Sequence, residues 1–160
     1  MTNEHAEYTL TLEHLWQFSL QFYGVREVKE ACLSLQNNYH GNVNLLLLLR
    51  WLDEQQVIFK EQDWHLVQGC LGRSETLLPL SYRELRRHLK SQVNDALYRE
   101  ALQFELQLEK QQQSDLVDCV NSLKLVKNDG EPLTLRYCRQ LGGEHLQQAF
   151  SIPVPNIQYP

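Results

Sequence analysis

Two uncharged amide side chains, Gln36 and Asn44, interrupt stretches that are otherwise apolar on one helical face. A buried amide without a hydrogen-bond partner costs a few kcal/mol, so each of these side chains must find one. The partner is either a neighbouring group of the protein or a ligand in a pocket. Asn44 has a further explanation, because an asparagine in the first turn can cap a helix. If a pocket exists, Trp16 and Trp51 are placed to cover it.

Arg50 follows five consecutive leucines and is a candidate anchor for an anion. If it points outward, its guanidinium can pair with Glu54 one helical turn later, which stabilises by a few tenths of a kcal/mol. If it points inward, it needs a carboxylate or another anion, because a buried guanidinium must be paired. The sequence thus suggests one candidate ligand site, formed by Trp16, Gln36, Asn44, Arg50 and Trp51.

A second candidate site is a group of cations in the segment "RELRRHLK", namely Arg83, Arg86, Arg87 and Lys90, which we call the basic stripe. The stripe is either a solvated helix face or a docking site for an acidic partner or a phosphate group. Cations near the start of a helix oppose its dipole, and this mild cost favours a use for them. The net charge of the chain is −5, so nucleic acid ranks last among the partners considered.

No pattern in the chain indicates catalysis, a metal or a cofactor. The six histidines fall in no H-x-x-x-H or H-E-x-x-H spacing, and neither G-x-S-x-G nor a glycine-rich phosphate loop is present. The four cysteines form no C-x-x-C pair and are expected to be thiols that fill the core. We therefore predict no catalytic residue, no metal ligand and no cofactor.

Size and composition indicate one globular domain in the cytoplasm. The chain has 160 residues, of which 42% are hydrophobic, and can bury a core without disulfides or a metal. Its first residues, "MTNEHAEYTL", lack both the cationic start and the apolar stretch of a signal peptide. We therefore expect a cytoplasmic protein.

Apolar residues at helical spacing predict two helices in the first quarter of the chain, Leu12–Tyr23 with Thr11 as its cap and then Val25–Tyr39. Asn42 can cap a third helix, about 43–54, that is apolar on nearly every side. A membrane span needs about 20 apolar residues, whereas this run meets Arg50 after five leucines. We therefore place the third helix at the centre of a bundle and predict no membrane insertion.

The middle of the chain is predicted to hold a short helix from Asp63 to Leu71, stopped by Gly72, and then one long helix of about 82–112. The segment "SYRE", which starts at Ser81, has the pattern of a capping box at the start of the long helix. We expect a break near Ser114, and one unbroken helix to about residue 126 is the alternative. Such a length favours a partner-binding face, as in a coiled coil.

The end of the chain is predicted to be peripheral. Residues 133–141 are ambiguous between a helix and a strand, with the helix favoured, and Gly142 and Gly143 can end it. The proline-rich residues 146–160 should form an extended tail, which leaves residues 1–145 as the helical domain.

The segment from Leu15 to Leu52 also carries a recognisable combination of residues. It contains Leu15-Trp16, Phe18, Tyr23 and Val28, followed by "ACLSLQ" at 31–36 and "VNLLL" at 43–47. In these features the chain resembles a small proteobacterial family of proteins of about 160 residues that has no assigned function. The resemblance implies a bacterial cytosolic protein and gives no catalytic residue.

The sequence as a whole predicts an all-α, single-domain helical bundle. The expected function is a non-catalytic protein-interaction or regulatory module that uses the basic stripe and the long helix. Its partner is unknown, either an acidic protein or a second copy in a homodimer. The alternative is a small-molecule-binding protein or a cryptic enzyme with a pocket near Trp16, Gln36, Asn44 and Arg50, and nucleic-acid binding ranks third.

Overall fold

The computed structural model describes residues 10–71 and 79–155, and for residues 79–81 it describes the backbone only. The expected helix stop at Gly72 and the last residues of the tail, 156–160, therefore lie outside the described residues. The described α-helices are α1 (Leu12–Tyr23), α2 (Arg26–Tyr39), α3 (Val43–Gln55), α4 (Trp64–Gly69), α5 (Pro79–Leu89), α6 (Asp95–Asn121), α7 (Leu133–Leu141) and α8 (Gln147–Phe150). Two short strands, β1 (Val57–Ile58) and β2 (Val126–Lys127), pair antiparallel, and the all-α prediction is confirmed.

Helices α1 and α3 begin where their capping residues predict. The Thr11 hydroxyl oxygen accepts a hydrogen bond from the His14 amide at 3.1 Å, and Asn42 Oδ1 accepts one from the Leu45 amide at 2.9 Å. Every residue of α3 from Asn44 to Leu52 is buried, because α1, α2, α6 and α7 all pack around this helix. The leucine run is therefore the centre of the core, as predicted.

The predicted long helix of about 82–112 is wrong, because the chain turns at residues 90–94 and forms two helices. Asn94 caps the second of them, α6, by accepting a hydrogen bond from the Leu97 amide at 2.8 Å. The break expected near Ser114 is absent, since α6 continues to Asn121. Helix α6 packs against α1 and α3 and buries Gln112, Gln113, Leu116, Val117, Cys119 and Val120. This packing holds the helix together across the polar "EKQQQSD" segment.

The start of α5 also differs from the prediction. The helix includes Pro79, so Ser81 lies inside it and not at the cap. Proline suits the first turn of a helix, where its missing N–H would have no partner and its fixed φ fits. The capping-box pattern was therefore correct about a nearby helix start and wrong about its position.

Helix α5 packs antiparallel to the first part of α6, and we call α5 with residues 95–109 the helical hairpin. The Tyr82 hydroxyl donates a hydrogen bond to the Ala101 carbonyl at 2.8 Å, and the Tyr82 ring lies 5.3 Å from the Phe104 ring. None of the described α5 side chains is buried. The rest of the described chain, which we call the helical body, contains the core.

The extended tail predicted from residue 146 is wrong in its first part. Residues Glu144–Leu146 form a 3₁₀ turn that leads directly into α8, and Leu146 and Phe150 are buried. These two apolar side chains explain why this segment packs against the core, since Phe150 is completely buried. Beyond α8 the chain turns at residues 151–152 and has no regular secondary structure at residues 153–155, and Ile152 and Val154 pack against the core.

A candidate ligand-binding cleft

A cleft of about 310 Å³ opens between the helical body and the helical hairpin. Its walls come from α1, α2, α3, α5 and α6. The lining side chains are Trp16, Ser19, Leu20, Tyr23, Leu33, Gln36, Val43, Asn44, Leu47, Arg83, Arg86, Arg87, Glu105, Leu106, Glu109 and Gln113. The volume falls in the range of sites that hold small organic molecules.

Two arginines of α5 pair with two glutamates of α6 along one wall. Arg83 Nη2 lies 2.6 Å from Glu109 Oε1, and Arg83 Nε lies 3.5 Å from Glu105 Oε1. Arg86 pairs with Glu105 through Nε and donates a hydrogen bond to the Tyr98 hydroxyl at 3.0 Å. These four side chains are largely shielded from solvent, so their charges interact more strongly than those of an exposed pair. The ion pairs also join the two helices of the hairpin.

A network of buried amides forms the floor of the cleft. Asn44 Nδ2 donates to Glu109 Oε2 at 2.5 Å and to Gln112 Oε1 at 2.8 Å. Gln113 Nε2 donates to the Ser19 hydroxyl oxygen at 2.9 Å and to Asn44 Oδ1 at 3.3 Å. Asn44 thus satisfies its amide through side chains of the protein, which is one of the explanations left open by the sequence.

The network fixes which end of each amide is nitrogen. A carboxylate only accepts hydrogen bonds, so the Asn44 atom facing Glu109 must be Nδ2, and Oδ1 then faces Gln113. Gln113 must present Nε2 to that oxygen, which leaves Gln113 Oε1 without a partner among the described residues. Asn42 Oδ1 is the cap acceptor of α3, so its Nδ2 faces Gln112 Oε1, and Gln112 Nε2 also lacks a described partner.

The mouth of the cleft is apolar and exposed. Leu20, Leu33 and Leu106 each expose a large part of their side chains there. Trp16 contributes its ring, with Lys110 Nζ 4.8 Å from the ring centroid in a cation–π contact. Burial raises the pKa of Tyr23, so its hydroxyl stays protonated at neutral pH. Apolar side chains therefore surround a polar floor that includes an unused hydrogen-bond acceptor.

The cleft combines residues from both candidate sites of the sequence analysis. Trp16, Gln36 and Asn44 of the first lie in it together with Arg83, Arg86 and Arg87 of the second. Gln36 forms no side-chain hydrogen bond with another described residue. Arg87 likewise makes no ion pair with a carboxylate in the described part of the chain.

Three predicted site residues lie elsewhere. Arg50 is a buried residue of α3 that does not line the cleft. It pairs with Glu54 at 2.9 Å and donates a hydrogen bond to the Ile152 carbonyl at 3.3 Å. Its guanidinium also lies over the Phe22 ring at 5.3 Å. Trp51 belongs to the core and Lys90 is exposed just beyond α5. The anion expected beside an inward Arg50 is thus supplied within its own helix, with a backbone carbonyl as second partner.

Sequence reasoning missed the acidic and amide residues of α6. Glu105 and Glu109 are four residues apart, a spacing at which like charges repel on a helix unless cations lie nearby. This spacing could have indicated that the basic stripe faces them. The role of Gln113 could not be predicted in this way, because a run of three glutamines is typical of a solvent-exposed segment.

The chain is an all-α protein with a cleft between a helical body and a helical hairpin. A model of the family described as "Protein of unknown function (DUF2390)" matches residues 14–116, and the chain belongs to this family. The matched segment contains every residue that lines the cleft. A search of curated proteins finds no match, and a search of solved structures finds none either.

None of the helices in the described part of the chain combines the length and the apolar character that crossing a bilayer requires. Within residues 10–71 and 79–155, no three His, Cys, Asp or Glu side chains come together as a metal site would require.

Proposed function

We propose that this protein is a non-catalytic binding protein whose cleft holds a small organic ligand with an apolar body. The observation that carries the proposal is the composition of the cleft, in which exposed leucines and Trp16 surround a buried polar floor. Binding sites for small molecules have this composition, since the apolar walls supply affinity and a few polar groups fix the orientation.

Binding accounts for the cleft better than catalysis does. Glu105 and Glu109 are the carboxylates that line it, and both are held in ion pairs with arginines. A general base needs a free carboxylate within reach of its substrate. The ion pairs instead keep the wall of the cleft in place.

The test uses anilinonaphthalene sulfonate, a fluorescent probe with apolar rings and an anionic group. We expect one saturable site on the folded protein. Leu106→Glu, which puts a carboxylate at the mouth, should weaken binding at least about tenfold. Leu66→Glu is the matched control, because Leu66 is 52% exposed, Leu106 is 45% exposed, and Leu66 lies on α4 away from the cleft. Equal effects of the two variants, or none from Leu106→Glu, would contradict the proposal.

A second candidate function is the protein-interaction or regulatory module, with a second copy of the chain as its partner. It is favoured by the exposed apolar side chains of the helical hairpin, Leu85, Leu97 and Phe104. Leu97 and Phe104 are seven residues apart and share one face of α6. Native mass spectrometry should then show a dimer that Leu97→Glu converts to a monomer, whereas a monomeric wild type would remove this candidate.

We further propose that the protein acts in the bacterial cytoplasm. The cysteines support this location, because Cys32 and Cys138 are buried as free thiols and burial raises their pKa values to about 12 and about 11. Thiols remain reduced in that compartment. Cell fractionation of the native protein tests the location, and recovery with secreted or membrane material would contradict it.

A further inference from the structure

We propose that the ligand of the cleft is a small acid that carries an apolar chain and one hydrogen-bond donor, as an N-acyl amino acid does. This inference rests on the proposed function and specifies the ligand chemistry. Three separate features of the cleft determine it: an unused acceptor in the floor, an uncompensated cation on the wall and an apolar mouth.

The acceptor is Gln113 Oε1. The side chain of Gln113 is 1% exposed, and its Nε2 is committed to Ser19 and Asn44, so the amide cannot turn over without opposing Asn44 Oδ1. A buried acceptor without a donor costs about 1–3 kcal/mol. A ligand N–H or O–H group removes this cost, whereas a ligand that lacks a donor does not.

The cation is Arg87. Three arginines and two glutamates line the cleft. Both glutamates form ion pairs, Glu109 with Arg83 and Glu105 with Arg86. Arg87 is the exposed arginine that remains, and its guanidinium is suited to a carboxylate. The side chains that line the cleft thus carry one more positive charge than negative charges.

The apolar part of the ligand lies against the exposed apolar side chains of the cleft. Trp16, Leu20, Leu33 and Leu106 form this part of the cleft, and covering them removes apolar surface from water. An acyl chain fits these side chains, and the amide N–H beside a carboxylate in an acylated amino acid supplies both polar groups at once.

Isothermal titration calorimetry with three probes tests the inference on the intact protein. The first, N-octanoylglycine, has the chain, the N–H and the carboxylate. The second, N-octanoyl-N-methylglycine, has a methyl group in place of the N–H hydrogen, and the third, the methyl ester of N-octanoylglycine, has an uncharged ester in place of the carboxylate. We expect N-methylation to weaken binding about tenfold, since one hydrogen bond to a buried acceptor is lost.

Two exposed arginines supply the protein variants, so that folding is not at issue. Arg87→Gln should weaken the binding of N-octanoylglycine about three- to fivefold and leave the affinity for the methyl ester unchanged. Arg99→Gln is the control, because Arg99 is an exposed arginine of the same hairpin and does not line the cleft.

The outcomes separate this inference from the proposed function. Equal affinity for the N-methylated and unmethylated acids, an equal effect of Arg87→Gln on acid and ester, or no binding of N-octanoylglycine would overturn the inference. If anilinonaphthalene sulfonate still binds in a Leu106-dependent way, the proposed function stands. If the dye also ignores Leu106→Glu, both fail.

Discussion

The carboxylate of Asp53, near the end of α3, caps the start of α7 through Thr134. Asp53 Oδ2 accepts hydrogen bonds from the Thr134 amide at 3.1 Å and from the Thr134 hydroxyl at 2.8 Å. The other oxygen accepts from the Leu133 amide at 2.7 Å. Residue 132 is a proline and cannot provide a side-chain cap, so Asp53 satisfies helix N–H groups across 80 residues of sequence.

Removing this long-range cap should destabilise the fold. We expect Asp53→Ala to lower the free energy of unfolding by about 1–2 kcal/mol, the usual cost of losing a helix cap. Urea unfolding followed by circular dichroism measures the change. Asp118→Ala is the control, because Asp118 is exposed on α6, and an equal loss in both variants would argue against a special role for Asp53.

The same carboxyl should make stability depend on pH. Burial raises the pKa of Asp53 above its ordinary value, although its hydrogen bonds to Thr134 and Leu133 oppose the rise. The folded state therefore binds this proton more tightly than the unfolded chain. The contribution is complete below the unfolded pKa of about 3.9 and is lost as the pH rises through the folded pKa.

The expected result is that wild type gains stability relative to Asp53→Asn as the pH is lowered from about 7 to about 4. The difference between the two proteins isolates Asp53 from the other carboxyl groups, which titrate in both. Urea unfolding in matched buffers gives this difference at each pH. A difference that stays constant over the range would show that the pKa of Asp53 is not raised.

Arg50 should matter for stability and not for ligand binding. We expect Arg50→Ala to cost about 1–3 kcal/mol, because it removes a buried side chain, its pair with the half-exposed Glu54 and its hydrogen bond to the Ile152 carbonyl. The matched control is Arg26→Ala, since Arg26 forms the same type of pair with Glu30 but its side chain is 87% exposed. That variant should change stability by less than about 0.5 kcal/mol. Thermal and urea unfolding compare the two, and equal losses would contradict the structural role.

Gly41 should not tolerate a side chain. A Cβ atom there would lie 2.6 Å from Leu35 Cγ and 2.8 Å from Leu141 Cδ1, so these two side chains would have to move. We expect Gly41→Ala to cost about 1–3 kcal/mol. At Gly69 a Cβ would meet nothing within 4 Å, so Gly69→Ala should be neutral or slightly stabilising. Unfolding midpoints of the two variants test the contrast, and similar midpoints would count against the packing at Gly41.

The helical body could be predicted from sequence because its signals are local. Thr11 and Asn42 are caps that act within three residues, and the leucine run is apolar on all sides. The turn at residues 90–94 was missed, because the apolar spacing continues across it and Asn94 was not recognised as a cap. Propensity and periodicity describe single helices and do not report how two helices meet.

The candidate site could be predicted only in part for the same reason. The sequence identifies Gln36, Asn44 and the arginines of α5 one by one as candidate site residues. Each is a polar group at a position where it needs a partner. Their assembly into one cleft depends on the turn that folds α5 back on α6. Glu105 and Glu109 can be recognised as the partners of these arginines only after that turn is known.

Helix α6 is one continuous rod of 27 residues, about 40 Å long, that forms part of the hairpin and then runs through the body. Glu109, which faces Arg83, lies one turn before Gln112 and Gln113, which are packed in the core. A molecule bound in the cleft therefore contacts a helix whose C-terminal half is packed in the core. Its binding energy should appear as a higher melting temperature of the entire domain, so that thermal denaturation becomes a practical screen for ligands.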